Sequence, residues 1–223
     1  MEKTKDKKLS LLLVCGLLGC MLMGSSDWIM IYGDPACEGA LAWLTVGVGS
    51  MPAWRNLLAV ALAFPAVVLY AVGLFAVGRF FREEQHRRQY IGLTALGLTP
   101  WLCLHLFYGM LFYIYSLFWG AGYSQEGCLL VEAAAGHFGW LIPVSDGFMV
   151  LPYLYLLVRA LRKQTRFGRA MALNNPLLIF LVLKAVTLFM KPSAFYLGFL
   201  NGLMSEAMLI WFAVYLIALS RKK

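Results

Sequence analysis

The chain has 223 residues, of which 61% are hydrophobic and only 13% charged, with a formal net charge of +8. A soluble domain of that length has too much surface to cover with so few charges, so the composition excludes an ordinary water-soluble enzyme and points to an integral membrane protein. The apolar runs are continuous and rich in Leu, Ala and Gly, which excludes a membrane β-barrel built from short alternating segments.

A helical span needs about 20 apolar residues to cross a hydrocarbon core of about 30 Å. Six such segments are predicted, forming one all-α transmembrane domain over residues 1–223, a six-helix bundle. The first is Leu9–Tyr32. Its start resembles a signal peptide, and Leu17-Leu18-Gly19-Cys20 resembles a lipoprotein cleavage box. A polar tether should follow such a box, yet Met21-Leu22-Met23-Gly24 stays apolar, so the segment is read as a retained span. Val46–Pro52 is too short to cross and reads as a re-entrant or interfacial piece. The second and third spans are Leu57–Gly78 and Tyr90–Leu117. The fourth, Ala134–Leu161, is long and carries Pro143 and Pro152 as kink sites. The fifth, Pro176–Met190, is short and is expected to begin before the Asn174-Asn175-Pro176 turn signal; the sixth is Phe195–Leu219.

Basic residues set the expected orientation. The N-terminus, the loops after spans two and four, and the C-terminus together hold 16 of the 19 Lys and Arg. The positive-inside rule then predicts both termini in the cytoplasm, in a plasma or inner membrane. Loop charge beside anionic lipid accounts for the basic balance, and no nucleic-acid partner is called for. The expected partners are the bilayer and a lipid or small-molecule ligand, and a homo-oligomer is compatible with the sequence.

Cys15, Cys20 and Cys103 fall in spans and read as small apolar packing residues. Cys37 and Cys128 fall in outer loops, where they form either a disulfide or two free thiols. No CxxC or CxxxH spacing suggests structural zinc, no HExxH or GxSxG motif is present, and no cofactor is identified.

Ionisable residues inside spans are costly and usually face a bundle interior or a wet cavity. Asp27, His105, Asp146, Lys184 and Glu206 are of this kind, with His137 near the outer end of span four. At about 1.5 Å per residue, Asp27 lies about 9 Å below Gly33 and Lys184 about 10 Å from Lys191. His105, Asp146 and Glu206 are expected near the midplane. Three acids and one lysine in low dielectric cannot all be comfortably charged, so Asp146 is expected to pair with Lys184, His105 or Asp27. In span six, Gly198, Asn201, Gly202 and Ser205 recur on one helical face bordered by Glu206, and Gly198-xxx-Gly202 suits close helix approach. Tyr108 shares a face with His105. A metal site would use His105, His137 and Asp146, although nine residues separate the last two, about half a turn out of phase on an ideal helix.

The Ser-Asp pairs at 26–27 and 145–146, and the Tyr-x-Gly starts at Tyr90 and Tyr196, suggest two inverted three-helix repeats, a pattern that places a site at the midplane. The leading functional reading is a protein that binds or transports a proton or a small or lipid-like ligand through an outward-opening polar chamber. Asp27, His105, Tyr108, Asp146, Lys184, Asn201, Ser205 and Glu206 are its candidate residues. Two alternatives use the same residues differently: a membrane-embedded lipid-modifying enzyme working by acid–base or metal-assisted hydrolysis, and a non-catalytic membrane assembly partner.

Overall fold

The computed structural model describes residues 2–32 and 51–221, and no strand occurs among them. The helices are α1 (Glu2–Ile31), α2 (Ala53–Val77), α3 (Glu84–Gly120), α4 (Ser124–Phe138), α5 (Leu141–Leu161), α6 (Ala170–Leu173), α7 (Pro176–Thr187) and α8 (Ala194–Ser220). Six helical segments are long and apolar enough to cross a membrane, and they match the six expected segments. The fold is an all-α six-helix bundle. In lipid a backbone must satisfy its own polar groups, so helices are the natural form for these runs. Local signals set the ends: Asn175 accepts from the Leu177 amide at 3.0 Å with Pro176 following, and Ser193 accepts from the Tyr196 amide at 3.1 Å.

The fourth expected span is corrected. It breaks at Gly139-Trp140, leaving α4 as a separate helix and starting the span at Leu141. Pro143 then falls in the first turn of α5, where a missing amide costs nothing, and only Pro152 lies in the helix body. The fifth span does begin before its turn signal, with α6 preceding Asn174 and Asn175. The segment Val46–Pro52 lies almost wholly outside the described residues, as does Cys37 and with it the Cys37–Cys128 pairing. Cys128 Sγ is 3.4 Å from the Tyr115 hydroxyl.

Each helix packs on its neighbour around a ring: α7 on α8, α8 on α1, α1 on α2, α2 on α3, and α3 on α5. The ring closes where α5 meets α7, and there the contact is sparse. The closest crossing is α1 on α2. A Cβ on Gly16 would sit 2.8 Å from Gly73 Cα, and one on Gly19 would sit 2.8 Å from Tyr70 Cα. Backbone contact of this kind requires glycine and gives van der Waals packing where no hydrophobic driving force acts between helices.

One end of the bundle is densely packed and carries the arginine-rich loops. The loops after α2 and α5 are joined by an antiparallel bridge between Phe81 and Thr165, with the Arg166 amide donating to Phe80 O at 2.7 Å and the Arg82 amide to Gln164 O at 3.1 Å. Below them, Phe80 meets Phe167 and Tyr215 with ring centroids 5.0 and 4.9 Å apart. Deeper still, the Tyr70 and Tyr153 hydroxyls are 3.3 Å apart, and Tyr153 meets Trp211 edge-on at 6.3 Å. Thus α5 touches α8 in this half of the bundle and leaves space between them in the other.

Gly19→Ala should destabilise the protein by about 1–3 kcal/mol, because the new methyl meets backbone that cannot yield. Gly92→Ala meets nothing within 4 Å and should be neutral or stabilising by up to about 1 kcal/mol. Thermal unfolding of the two variants in one detergent checks the contrast.

Candidate functional site

The space between the helices is a cavity of about 510 Å³. Helix α1 contributes Asp27, Met30 and Ile31; α3 contributes Trp101, Leu104, His105, Tyr108 and Phe112. Helix α5 contributes Ile142, Asp146, Met149 and Val150, α7 contributes Leu177 and Phe180, and α8 contributes residues including Asn201, Met204 and Ser205. Six of the eight residues singled out in the sequence therefore line one cavity. The volume lies in the range of small-ligand sites, which are mostly apolar with a few placed polar groups.

Asp27 is the most enclosed of the ionisable lining residues, 8% exposed. It sits one turn from the end of α1, whose last carbonyls are held by Arg55: its guanidinium donates to Ile29 O at 2.8 Å and Tyr32 O at 3.0 Å. The preceding Ser26 is buried and donates to Ala59 O at 2.7 Å, which pins α1 to α2 and fixes the direction in which Asp27 leaves the helix. The Asp27 carboxylate lies beside the Ser205 side chain and 3.6 Å from His105 Nε2. That last distance is beyond a direct hydrogen bond but within ion-pair range for a protonated imidazole. The His105 ring is in turn 5.5 Å from the Trp101 ring.

The order of these groups limits the chemistry. A hydrolase activates its nucleophile by placing histidine between serine and aspartate. Here His105 faces the Asp27 carboxylate, and no hydrogen bond joins it to a serine among the described residues. The arrangement can hold a proton or accept hydrogen bonds from a ligand.

Asp146 lies on the other wall. It is exposed, and with Ile142 and Val150 it forms one stripe of α5 along the α5–α7 seam. The break before Leu141 places it about 7.5 Å from the start of its helix rather than at the midplane. The Tyr108 hydroxyl is buried without a hydrogen-bond partner among the described residues, and the Asn201 amide donates to Leu197 O at 2.8 Å.

Four arrangements differ from those expected. Lys184 does not pair with Asp146. The expected span ran to Met190, but α7 ends at Thr187, so Lys184 occupies its last turn, where a cation suits the helix dipole and a long side chain reaches outward. It is exposed, outside the cavity lining, and forms no ion pair among the described residues. Glu206 lies behind the cavity wall rather than in it. Its Oε1 accepts from Trp28 Nε1 at 3.1 Å, and its Oε2 is buried without a partner. The Gly198–Gly202 stripe seats the Trp28 indole rather than a helix backbone: a Cβ at Gly198 would lie 2.7 Å from that ring. His137 belongs to α4 and is exposed, with Nδ1 2.7 Å from Ala133 O, so the set His105, His137 and Asp146 is not brought together. No group of three or more His, Cys, Asp or Glu suited to a metal occurs among the described residues.

The two Ser-Asp pairs meet at the cavity from different positions. Ser26-Asp27 closes α1, whereas Ser145-Asp146 opens α5. Their likeness reflects a shared place beside the cavity, with serine buried and aspartate lining in both, not equivalent positions along two repeated halves.

Fold and composition define a multi-pass helical membrane protein. The chain belongs to the family described as "Family of unknown function (DUF6796)", which matches residues 1–222. No curated protein and no solved structure matches it.

Trp28→Phe should cost about 1–3 kcal/mol of stability, because it leaves a second Glu206 oxygen without its donor. In a Glu206→Leu background the same change should cost much less. A double-mutant cycle by thermal unfolding measures the difference.

Proposed function

We propose that this protein binds a small membrane-dissolved molecule in the cavity between α1, α3, α5, α7 and α8 and carries it, or a proton exchanged with it, between the bilayer and one aqueous face. The observation that carries this reading is the convergence of Asp27, His105, Tyr108, Asp146, Asn201 and Ser205 on one largely apolar volume. A carboxylate deep in a span is expensive to keep unless a ligand, proton or partner uses it. Access is from the side. The cavity reaches the protein surface at Asp146 and Ile142, beside the sparse α5–α7 contact. Both helices expose apolar side chains there, among them Leu181 and Val182, as a lipid-facing surface does. A hydrolase reading draws less support, since His105 faces the Asp27 carboxylate and is hydrogen-bonded to no serine among the described residues.

Native mass spectrometry of protein extracted gently from its own membrane tests this. Wild type should retain a discrete small-molecule adduct, and Ser205→Trp, which fills the cavity, should lose it while still folding. Equal spectra from the two proteins would contradict the reading.

The orientation proposed with it has the arginine-rich end in the cytoplasm. In a Gln125→Cys variant, a membrane-impermeant maleimide should label position 125 from the outer side. Labelling there only from the cytoplasmic side reverses the topology.

A further inference from the structure

Resting on the reading that the cavity binds a membrane-dissolved ligand, we infer that this ligand is a lipophilic cation, an amphiphile with a positive head and an apolar body. The lining holds two carboxylates, Asp27 and Asp146, against one imidazole, His105. A third carboxylate, Glu206, stands close enough behind Asp27 to act on it electrostatically. Among the described residues no lysine or arginine lines the cavity. The nearest cation on its α7 wall, Lys184, is a turn beyond Phe180 and outside the lining. This acidic excess occurs in a chain whose net charge is +8, so it is a local feature and not the average.

The remaining surface suits the rest of such a molecule. Trp101, Tyr108, Phe112 and Phe180 line the cavity, and aromatic faces attract cations most strongly where water is excluded. The Tyr108 hydroxyl, buried without a partner, has an oxygen free to accept from an ammonium or similar head. Leucine, methionine and isoleucine supply the apolar contact. An anion would meet Asp27 and Asp146 with no counter-charge in the lining, and like charges in low dielectric repel by several kcal/mol. A neutral molecule would leave Asp146, which has no ion-pair partner among the described residues, unanswered. Asp146, at the mouth, meets the head first; Asp27, enclosed and already touching Ser205 and His105, receives it or gives up its proton. A cation settling against Asp27 favours the ionised carboxylate over the protonated acid, so binding should release protons.

Protein in nanodiscs can be titrated with three probes of similar bulk: tetraphenylphosphonium, tetraphenylborate and triphenylphosphine oxide, each corrected for partition into empty discs. Tetraphenylphosphonium should bind saturably at one site, release protons, and weaken at least tenfold in Asp146→Asn. Tetraphenylborate should not bind, and the neutral oxide should bind at least tenfold more weakly than the cation. Binding of the borate or the oxide as tight as that of the cation, and indifferent to Asp146→Asn, overturns the cationic class and leaves the ligand-binding cavity standing. Absence of saturable binding by all three overturns both. The comparison among probes uses wild-type protein, so it holds even if the variant misfolds.

Discussion

A carboxylate cannot sit alone in hydrocarbon. On insertion scales an ionised aspartate at the centre of a span costs about 2.5–3.5 kcal/mol, and the surroundings of Asp27 answer that cost. Ser205 on α8 lies beside it, His105 on α3 stands 3.6 Å away, and Ser26 next to it in the chain ties α1 to α2 through Ala59. Four helices are thus held at one level by the demands of one side chain and its neighbour. Trp28 extends the same arrangement by one residue: its indole lies in the Gly198–Gly202 trough and donates to Glu206. The Ser26-Asp27-Trp28 tripeptide therefore sets the spacing of α1 against α2, α3 and α8, and the cavity is the volume left by that spacing.

Rigidity is supplied elsewhere. At the arginine-rich end, Tyr70, Tyr153, Trp211, Phe212 and Tyr215 are buried and in mutual contact, and the Phe81–Thr165 bridge binds the two basic loops. Aromatic contacts and closely packed glycines give this half its stability without help from the cavity. A half that is firm and a half that holds space suits the proposed binding role, in which a site tolerates openings that its scaffold does not. The α5–α7 seam lies in the open half, and α7 is held mainly by α8.

Six spans were legible because long apolar runs and clustered basic loops each report membrane crossing independently. The polar residues of the site were legible for a related reason: in an apolar chain an ionisable residue in a span stands out, and Asp27, His105 and Asp146 meet at the cavity with Glu206 behind its wall. What was hidden depended on helix ends. The break at Gly139-Trp140 carries no proline and lies within a continuous apolar run, so α4 and α5 read as one span and His137 seemed to share a helix with Asp146. The end of α7 at Thr187 likewise moved Lys184 from mid-membrane to a last turn. The Gly198–Gly202 spacing correctly marked a close contact, but spacing alone does not distinguish an indole from a helix backbone. The tighter crossing, at Gly16, Gly19 and Gly73, shows no small-xxx-small spacing, because its contact divides between two helices.

The account turns on a cavity reached from the bilayer through the α5–α7 seam, with Asp146 at its mouth and Asp27 behind. Carbodiimide modification followed by peptide mapping, on protein in sealed vesicles, addresses this directly. Lipid-soluble dicyclohexylcarbodiimide should modify Asp146 first and Asp27 more slowly, while a membrane-impermeant water-soluble carbodiimide added to either side should leave both intact. Modification of Asp146 by the water-soluble reagent alone would contradict the account, since the cavity would then open to water and its seam would be closed to lipid.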